Sequence, residues 1–337
     1  INQRPALLRA DLFGTAMKLF FVGVSSLVAD QFFELFEDHP LASEIELSLW
    51  DDDSEAGRSL MINGHSTLVR PVDQAPFAEA SVVILAQPEA SADLLERASS
   101  GATLIDLYSN LSAKSANLAV AGRDRLEPGE WYQLAEPVLV AVYKFCQAIS
   151  AKVEPLRMHI AATLPASVHD RKGAEALARE TAALLNGREA TEQFLEATLA
   201  FNALAQPFAL DDQGESELER RIADGADELF EDAEVTVSTV QVPMFHGTSA
   251  MLMVETQADQ SVSDLVALID RDNAMRFSHS PNASTQSMIG QTECLVSRLR
   301  VDARVDQTIQ TTLMFDENRF GRAAALLELL GTLVTKH

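Results

Sequence analysis

One stretch of this chain gathers residues whose kinds and order suit chemistry in a cleft. Residues 236–245 and 250–256 read as two strand-like runs meeting at His246-Gly247-Thr248-Ser249. Glycine permits backbone angles that other residues resist, so such a pivot can aim its neighbours into a cleft. Strand alternation puts residues 246 and 248 on one face, where the His246 imidazole could act as acid or base. The other reading of a lone histidine is a structural or surface residue. Cys146 and Cys294 are the only thiols. A thiolate attacks carbonyl carbon when a helix end or nearby charge lowers its pKa; otherwise cysteine is a small buried hydrophobe. Two cysteines without paired spacing make neither a disulfide framework nor a zinc site, so reduced thiols and no metal are expected.

The elements that must position these groups fall into two kinds. Residues 18–24 form an apolar run with Gly23 near its end. Ser25-Ser26 and an amphipathic stretch carrying Leu27, Phe32, Phe33, Leu35 and Phe36 follow, which reads strand, turn, helix. Further strands are expected at 44–50 (ending in Asp51-Asp52-Asp53), 81–86, 103–107 and 139–142, with helices at 90–99 and 145–152. Alternating strands and helices point to α/β architecture with a parallel, doubly wound sheet. From Arg157 the pattern changes to a strand reaching Leu164 and helical stretches over 172–185, 190–199 and 216–229. Strands at 235–245, 250–256, 295–301 and 308–315 follow, with a helix at 262–270 among them. Antiparallel strands with helices on one face make this half α+β. A last helix over 319–334 shows an apolar stripe of Phe320, Ala323, Leu327, Leu330 and Val334, with Asp316 or Asn318 available as its cap.

The 337 residues, 47% hydrophobic, suit two domains with a sizeable core. Residues 1–16 are read as a leading extension, since Met17 stands just before the first strand. Residues 17–150 and 151–318 form the two domains, and 319–337 the returning helix. A net charge of −24, from 26 basic and 50 acidic residues, repels polyphosphate backbones and anionic membranes. Nucleic acid and membrane are not expected as partners. No apolar run reaches the ~18 residues that span a bilayer, and a soluble cytoplasmic protein is expected.

With these elements placed, the chain resembles the aspartate-semialdehyde dehydrogenase family over residues 17–337. Four collinear segments carry the likeness: Ala200-Phe201-Asn202, Val242-Pro243-Met244-Phe245-His246-Gly247, the 282–300 run ending Val296-Ser297-Arg298-Leu299-Arg300, and Asp316-Glu317-Asn318-Arg319-Phe320-Gly321. The resemblance implies a Rossmann-like dinucleotide-binding domain, an α+β catalytic and dimerisation domain, and a C-terminal helix returning to the first. It also implies NAD or NADP as cofactor and a homodimer. Family chemistry uses a cysteine thiolate at a helix N-terminus, a histidine acid/base and phosphate attack on an acyl-enzyme.

This chain departs from that pattern at each working part. Counted back from Glu154-Pro155-Leu156, the nucleophile position is Lys144, with Cys146 two residues on. The base position after Gly247 is Thr248. The two anion anchors correspond to Gln241 and Ser112, neither offering the guanidinium fork that grips carboxylate or phosphate; Arg123 and Arg298 are possible substitutes. The phosphate loop reads Gly23-Val24-Ser25-Ser26-Leu27-Val28-Ala29, keeping one of three glycines. Gly23, Ser25, Ser26 and Val28 are the remaining candidates for holding a phosphate at the helix end. Asp51 to Asp53 would repel the extra phosphate of NADP.

Two functions fit. One is a catalytically degenerate member of a non-enzymatic bacterial branch, acting as a dimeric scaffold or binding protein for an unknown protein or small molecule. The other is a divergent NAD(P)-dependent semialdehyde dehydrogenase using Cys146 and His246. A third chemistry, a Schiff base at Lys144, requires burial to depress the amine's pKa.

Overall fold

The computed structural model describes residues 16–99, 101–111, 115–190, 194–195, 197–205 and 208–334. The expected leading extension, residue 16 apart, and the anchor position Ser112 lie outside them.

The first half builds an eight-stranded sheet. Its strands are β1 (Met17–Val22), β2 (Ile45–Asp51), β3 (Ser59–Ile62), β4 (His65–Pro71), β5 (Val82–Leu85), β6 (Thr103–Asp106), β7 (Asn117–Ala119) and β8 (Trp131–Leu134), in spatial order β3-β4-β2-β1-β5-β6-β8-β7. Every pairing is parallel except the β3–β4 hairpin. β5 and β6 are buried at every position, as strands covered on both faces must be. Helix α1 (Leu27–Glu37) covers one face with Val28, Phe32 and Phe36; α2 (Ala92–Ala98) packs its Leu94 and Ala98 in the core of the other.

The expected strand at 139–142 is instead helical. Helix α3 (Pro137–Ile149) starts with proline at its first turn, where the missing N–H costs nothing. Val138 to Val142 are buried all round, so the run carries no helical periodicity to distinguish it from a strand. α3 follows the first sheet but already packs against helices of the second.

That second sheet contains β9 (Pro155–Leu164), β10 (Glu234–Gln241), β11 (Thr248–Thr256), β12 (Met275–Ser278), β13 (Cys294–Val301) and β14 (Thr308–Phe315), ordered β10-β9-β11-β14-β13-β12. It is mixed rather than antiparallel throughout, because β9–β10 and β12–β13 pair in parallel. The connections are α4 (Asp170–Leu185), α5 (Glu217–Leu229) and α6 (Val262–Ile269). The expected helix over 190–199 does not form among the described residues there, which are bends and loop. Along β11, Ala250, Leu252 and Val254 are buried while Met251 and Met253 are 47% and 39% exposed. One face is therefore core and the other open, as period-two alternation dictates. Register places Ala161 and Thr312 beside Met251, and His159 and Gln310 beside Met253, on the open face.

The chain ends with a π-helical turn, Arg319–Ala324, leading into α7 (Ala325–Val334). Of the two expected caps Asp316 serves, accepting from the amides of Asn318 (3.0 Å) and Arg319 (2.9 Å). The π turn packs on α1, where Arg319 reaches Gln31 (2.9 Å) and Glu34 (3.1 Å), so the C-terminal helix returns to the first half. Among the described residues no helix is long and apolar enough to cross a membrane.

Helix α5 is fixed by a capping box: the Ser216 hydroxyl accepts from Glu219 N while the Glu219 carboxylate accepts from Ser216 N. Glu219 also accepts from Thr239 N (2.7 Å), tying α5 to β10. Ser216→Ala is expected to cost about 0.5–2 kcal/mol in urea unfolding, the usual range for a lost N-cap; an unchanged midpoint would contradict this role.

Candidate functional site

A cavity of about 550 Å³ lies between the carboxyl ends of β1, β2, β5 and β6 and the N-terminal parts of α4 and α5. Open α/β sheets place their ligand crevices at such strand ends. Gly23 leaves β1 at φ +94°, and a Cβ there would come within 2.7 Å of the Ala86 carbonyl carbon. The Ser26 hydroxyl caps α1 by accepting from Ala29 N (3.3 Å), and Val28 is buried in its first turn.

The amides at this helix end already have anionic partners. Ser25 N donates to Asp51 Oδ2 and Leu27 N to Asp170 Oδ1, each at 2.7 Å. Both carboxylates are buried. These are the positions from which a dinucleotide fold grips pyrophosphate. A phosphate entering here meets two carboxylates instead of open N–H groups. Gly23, Ser25, Ser26 and Val28 thus form the turn with their own chain as occupant. Asp52, exposed beside it, accepts from Gln87 Nε2 (3.4 Å).

Deeper in the cavity Glu136, the residue before Pro137, accepts from Arg221 Nε (2.9 Å) and Ser109 Oγ (3.3 Å) and lies 3.6 Å from Arg322. The π-helical turn places the Arg322 guanidinium 4.7 Å above the Tyr108 ring and lets it donate to the Leu107 carbonyl (3.2 Å). Burial, reinforced by the nearby Asp170 charge, pushes the Tyr108 phenol well above its ordinary range. Both arginines are thereby engaged by a carboxylate of the chain itself. Carboxylates outnumber cationic side chains in the lining, which disfavours a dianionic ligand. Sequence reading missed Glu136, Asp170, Arg221 and Arg322. Arg322 stood one residue beyond the Asp316–Gly321 segment, and Glu136 immediately before a helix-starting proline, which were the available signals.

The pivot turns elsewhere. Gly247 takes φ +93°, and a Cβ would lie 2.8 Å from that of Thr285. Around it, donors converge on Glu317. Gly247 N (3.0 Å) and Thr248 Oγ1 (3.4 Å) reach one carboxylate oxygen; the Ser167 hydroxyl and Asn318 Nδ2 (3.3 Å) reach the other, 3.8 Å from His246 Nδ1. His246 and Thr248 do meet at one group, but it is this buried carboxylate, which the sequence reading named only as part of the 316–321 segment and gave no role, and neither lines the cavity. Burial opposes ionisation of Glu317, yet the His246 and Ser167 contacts outweigh it and hold its pKa below the ordinary value. The Glu317 contact in turn raises the His246 pKa.

Cys146 and Lys144 are also placed away from the cavity. α3 begins at Pro137, so position 144 falls in mid-helix rather than at a strand-to-helix turn. Lys144 Nζ meets Glu328 of α7 at 2.9 Å. Cys146 is buried 3.9 Å from Met158 Sδ, its thiol pushed up to about 12 by burial. Gln241 is fully buried, with Nε2 3.5 Å from the Pro165 carbonyl, at a void of about 10 Å³ shared with His169. Arg123 pairs with Glu228 (3.2 Å), and Arg298 lies exposed on β13. Among the described residues, no cluster of three or more His, Cys, Asp or Glu could hold a metal ion.

Comparison with known proteins agrees with this architecture. Residues 146–319 match a family model described as semialdehyde dehydrogenase, dimerisation domain. A USG-1 protein homolog of Pseudomonas aeruginosa is 27% identical over 330 residues, covering 94% of this chain and 97% of that one. Aspartate-semialdehyde dehydrogenase 2 of Vibrio cholerae is 23% identical, over 93% of this chain and 96% of that one. The structure of a probable aspartate-semialdehyde dehydrogenase from Pseudomonas aeruginosa superposes with a TM-score of 0.84 at 24% identity, covering 96% of this chain and 99% of that one. The two halves therefore correspond to a Rossmann-like unit and a dimerisation unit.

Because the folded-state pKa of His246 is raised, its contribution to stability is full below about pH 6.5, its unfolded value, and is lost as pH rises through the folded pKa. His246→Gln is expected to lower the urea midpoint clearly at pH 5.5 and little at pH 9. Equal losses at both would contradict the pairing with Glu317.

Proposed function

The chain belongs to the semialdehyde dehydrogenase family, and we propose that it works there as a catalytically degenerate, homodimeric binding protein without a bound dinucleotide. The observation that carries this reading is the pair of carboxylates, Asp51 and Asp170, seated on the α1 amides. Pyrophosphate binding would have to expel both while bringing further negative charge against a lining in which carboxylates outnumber cationic side chains.

The groups required for acyl transfer give the same direction. A nucleophilic thiol must ionise and reach its substrate; Cys146 does neither where it is buried, and a thiol at about 12 is neutral at physiological pH. Lys144 is buried but paired with Glu328 at 2.9 Å and lies away from the cavity, whereas Schiff-base chemistry prefers an unpaired amine facing its substrate. Thr248 has no acid–base function near neutrality, and His246 is engaged by Glu317. The cavity between the halves remains large enough for a small molecule, which with a protein partner forms the remaining class of ligands. Two unpaired, buried cysteines accord with a cytoplasmic location.

The dimer is read from the open face of the second sheet. Met251 and Met253, beside Ala161 and Thr312, make a small-residue and methionine surface able to meet its own copy about a two-fold axis. Light scattering is expected to give twice the 36.7 kDa chain mass, and Met251→Glu with Met253→Glu to return it to one. A monomeric parent protein would contradict this assignment.

Calorimetric titration with NAD and with NADP to millimolar concentration tests the central claim. No saturable heat is expected from either. Binding in the micromolar range would overturn the reading of the α1 turn and restore oxidoreductase chemistry.

A further inference from the structure

Gln241 and His169 each carry a buried polar atom without a partner, and the two residues line one small void. Gln241, at the end of β10, is fully buried. Its backbone is satisfied, exchanging hydrogen bonds with Leu204 at 2.9 Å in both directions. Its Nε2 lies 3.5 Å from the Pro165 carbonyl, which fixes the amide's orientation: turned over, it would set two oxygens against each other. Oε1 is thereby left to seek a donor, and it has none. His169 Nε2 is buried and unpartnered in the same way. The void, about 10 Å³, stands at the lower limit for one water.

Glu180 is the third polar side chain of that void, whose other side chains are apolar. Its carboxylate is buried, and Oε2 accepts from Leu199 N (2.9 Å) and Ala200 N (3.0 Å), which leaves Oε1 for a further donor. A buried water makes two to four hydrogen bonds. It has two protons, and Gln241 Oε1 and an ionised carboxylate can only accept them. The remaining partner, His169 Nε2, must then be the donor to the water.

The consequence reaches the large cavity, because His169 lines that as well. Burial lowers the His169 pKa, so the imidazole is neutral near pH 7 and carries a single ring proton. With that proton on Nε2, Nδ1 keeps its lone pair and is the nitrogen that remains for the cavity. The local backbone makes no use of it. His169 stands at the N-cap of α4 without a side-chain cap bond, whereas Nδ1 of His39, at the start of the 3₁₀ turn Pro40–Ser43, accepts from Leu41 N at 3.3 Å. The rings of Phe208 and Phe194 pack against the imidazole with centroids at 5.0 and 5.5 Å, so the acceptor is set in an apolar stretch of the wall.

We propose that one bound water joins Gln241, Glu180 and His169, and that it holds His169 as the Nε2–H tautomer, with Nδ1 as the acceptor for a hydroxyl, amide or ammonium group of a small molecule in the cavity. Gln241 and Glu180 are positioning residues that act through the water. The ligand class rests on the small-molecule reading of the cavity; the tautomer does not, and it is measured without a ligand.

Long-range ¹H–¹⁵N spectra of the imidazoles in the full chain at pH 7 test it, with His169→Gln identifying the resonances. Nε2 should have the shift of a protonated nitrogen and Nδ1 that of an unprotonated one, and the Nε2 proton should give a cross-peak to a long-lived water. In Gln241→Leu that cross-peak should be lost and a population protonated on Nδ1 should appear. Diethyl pyrocarbonate, which acylates an accessible unprotonated imidazole nitrogen, should label His169 in the parent. A parent His169 protonated on Nδ1, a missing water cross-peak or an absence of labelling would each overturn the proposal, as would a Gln241→Leu spectrum identical to the parent's. Should Gln241→Leu fail to fold, the parent measurements decide alone. Dinucleotide binding would change the occupant of the cavity and leave these outcomes standing.

Discussion

A buried anion at the N-terminus of α1 is the constraint around which the cleft is arranged. The first amides of a helix have no intrahelical acceptor, and burying them without one costs on the order of 1–3 kcal/mol each. In a dinucleotide-binding protein the ligand's phosphates can meet that need. Here Asp51 from β2 and Asp170 from the start of α4 meet it, at 2.7 Å from Ser25 N and Leu27 N. Once the chain fills its own cradle, α4 must stay against α1 and Asp170 must accept a backbone conformation that glycine would take more cheaply.

The same inward turn recurs at several of the described positions where the family's chemistry would be expected. Glu136 occupies Arg221 and Arg322, Glu317 gathers Gly247, Thr248, Ser167 and His246, and Glu328 takes Lys144. Each arrangement follows the rule that a buried charge needs partners. Together they leave polar groups satisfied by one another rather than aimed at a substrate. The pivot at Gly247 keeps its bent backbone while its side chains serve a structural carboxylate.

Much of the fold was legible because its signals are local. β1, the Ser25-Ser26 turn and α1 announce themselves through an apolar run, a capping serine and helical spacing of phenylalanines. β11 shows its two faces in alternation. The strand expected at 139–142 failed for a physical reason: α3 is buried on every side, so its residues carry no pattern that separates helix from strand. Lys144, reached by counting back from Pro155, lies within α3, whereas the strand-to-helix turn is at Ala135 and Glu136, ahead of Pro137. The hairpin β3–β4 and the three-residue β7 were too short to stand out. In the site, the missing family residues could be read by position, but their replacements could not. Asp170 and Glu317 act on partners 143 and 70 residues away, and nothing in local sequence marks such pairs.

The claim that the helix end is filled by the protein itself can be observed at the atoms concerned. In a ¹⁵N-labelled sample, the Ser25 and Leu27 amide resonances report directly on their acceptors. Adding NADP to millimolar concentration should leave both unmoved. Saturable shifts of these two amides would mean that phosphate displaces Asp51 and Asp170, and would contradict the account.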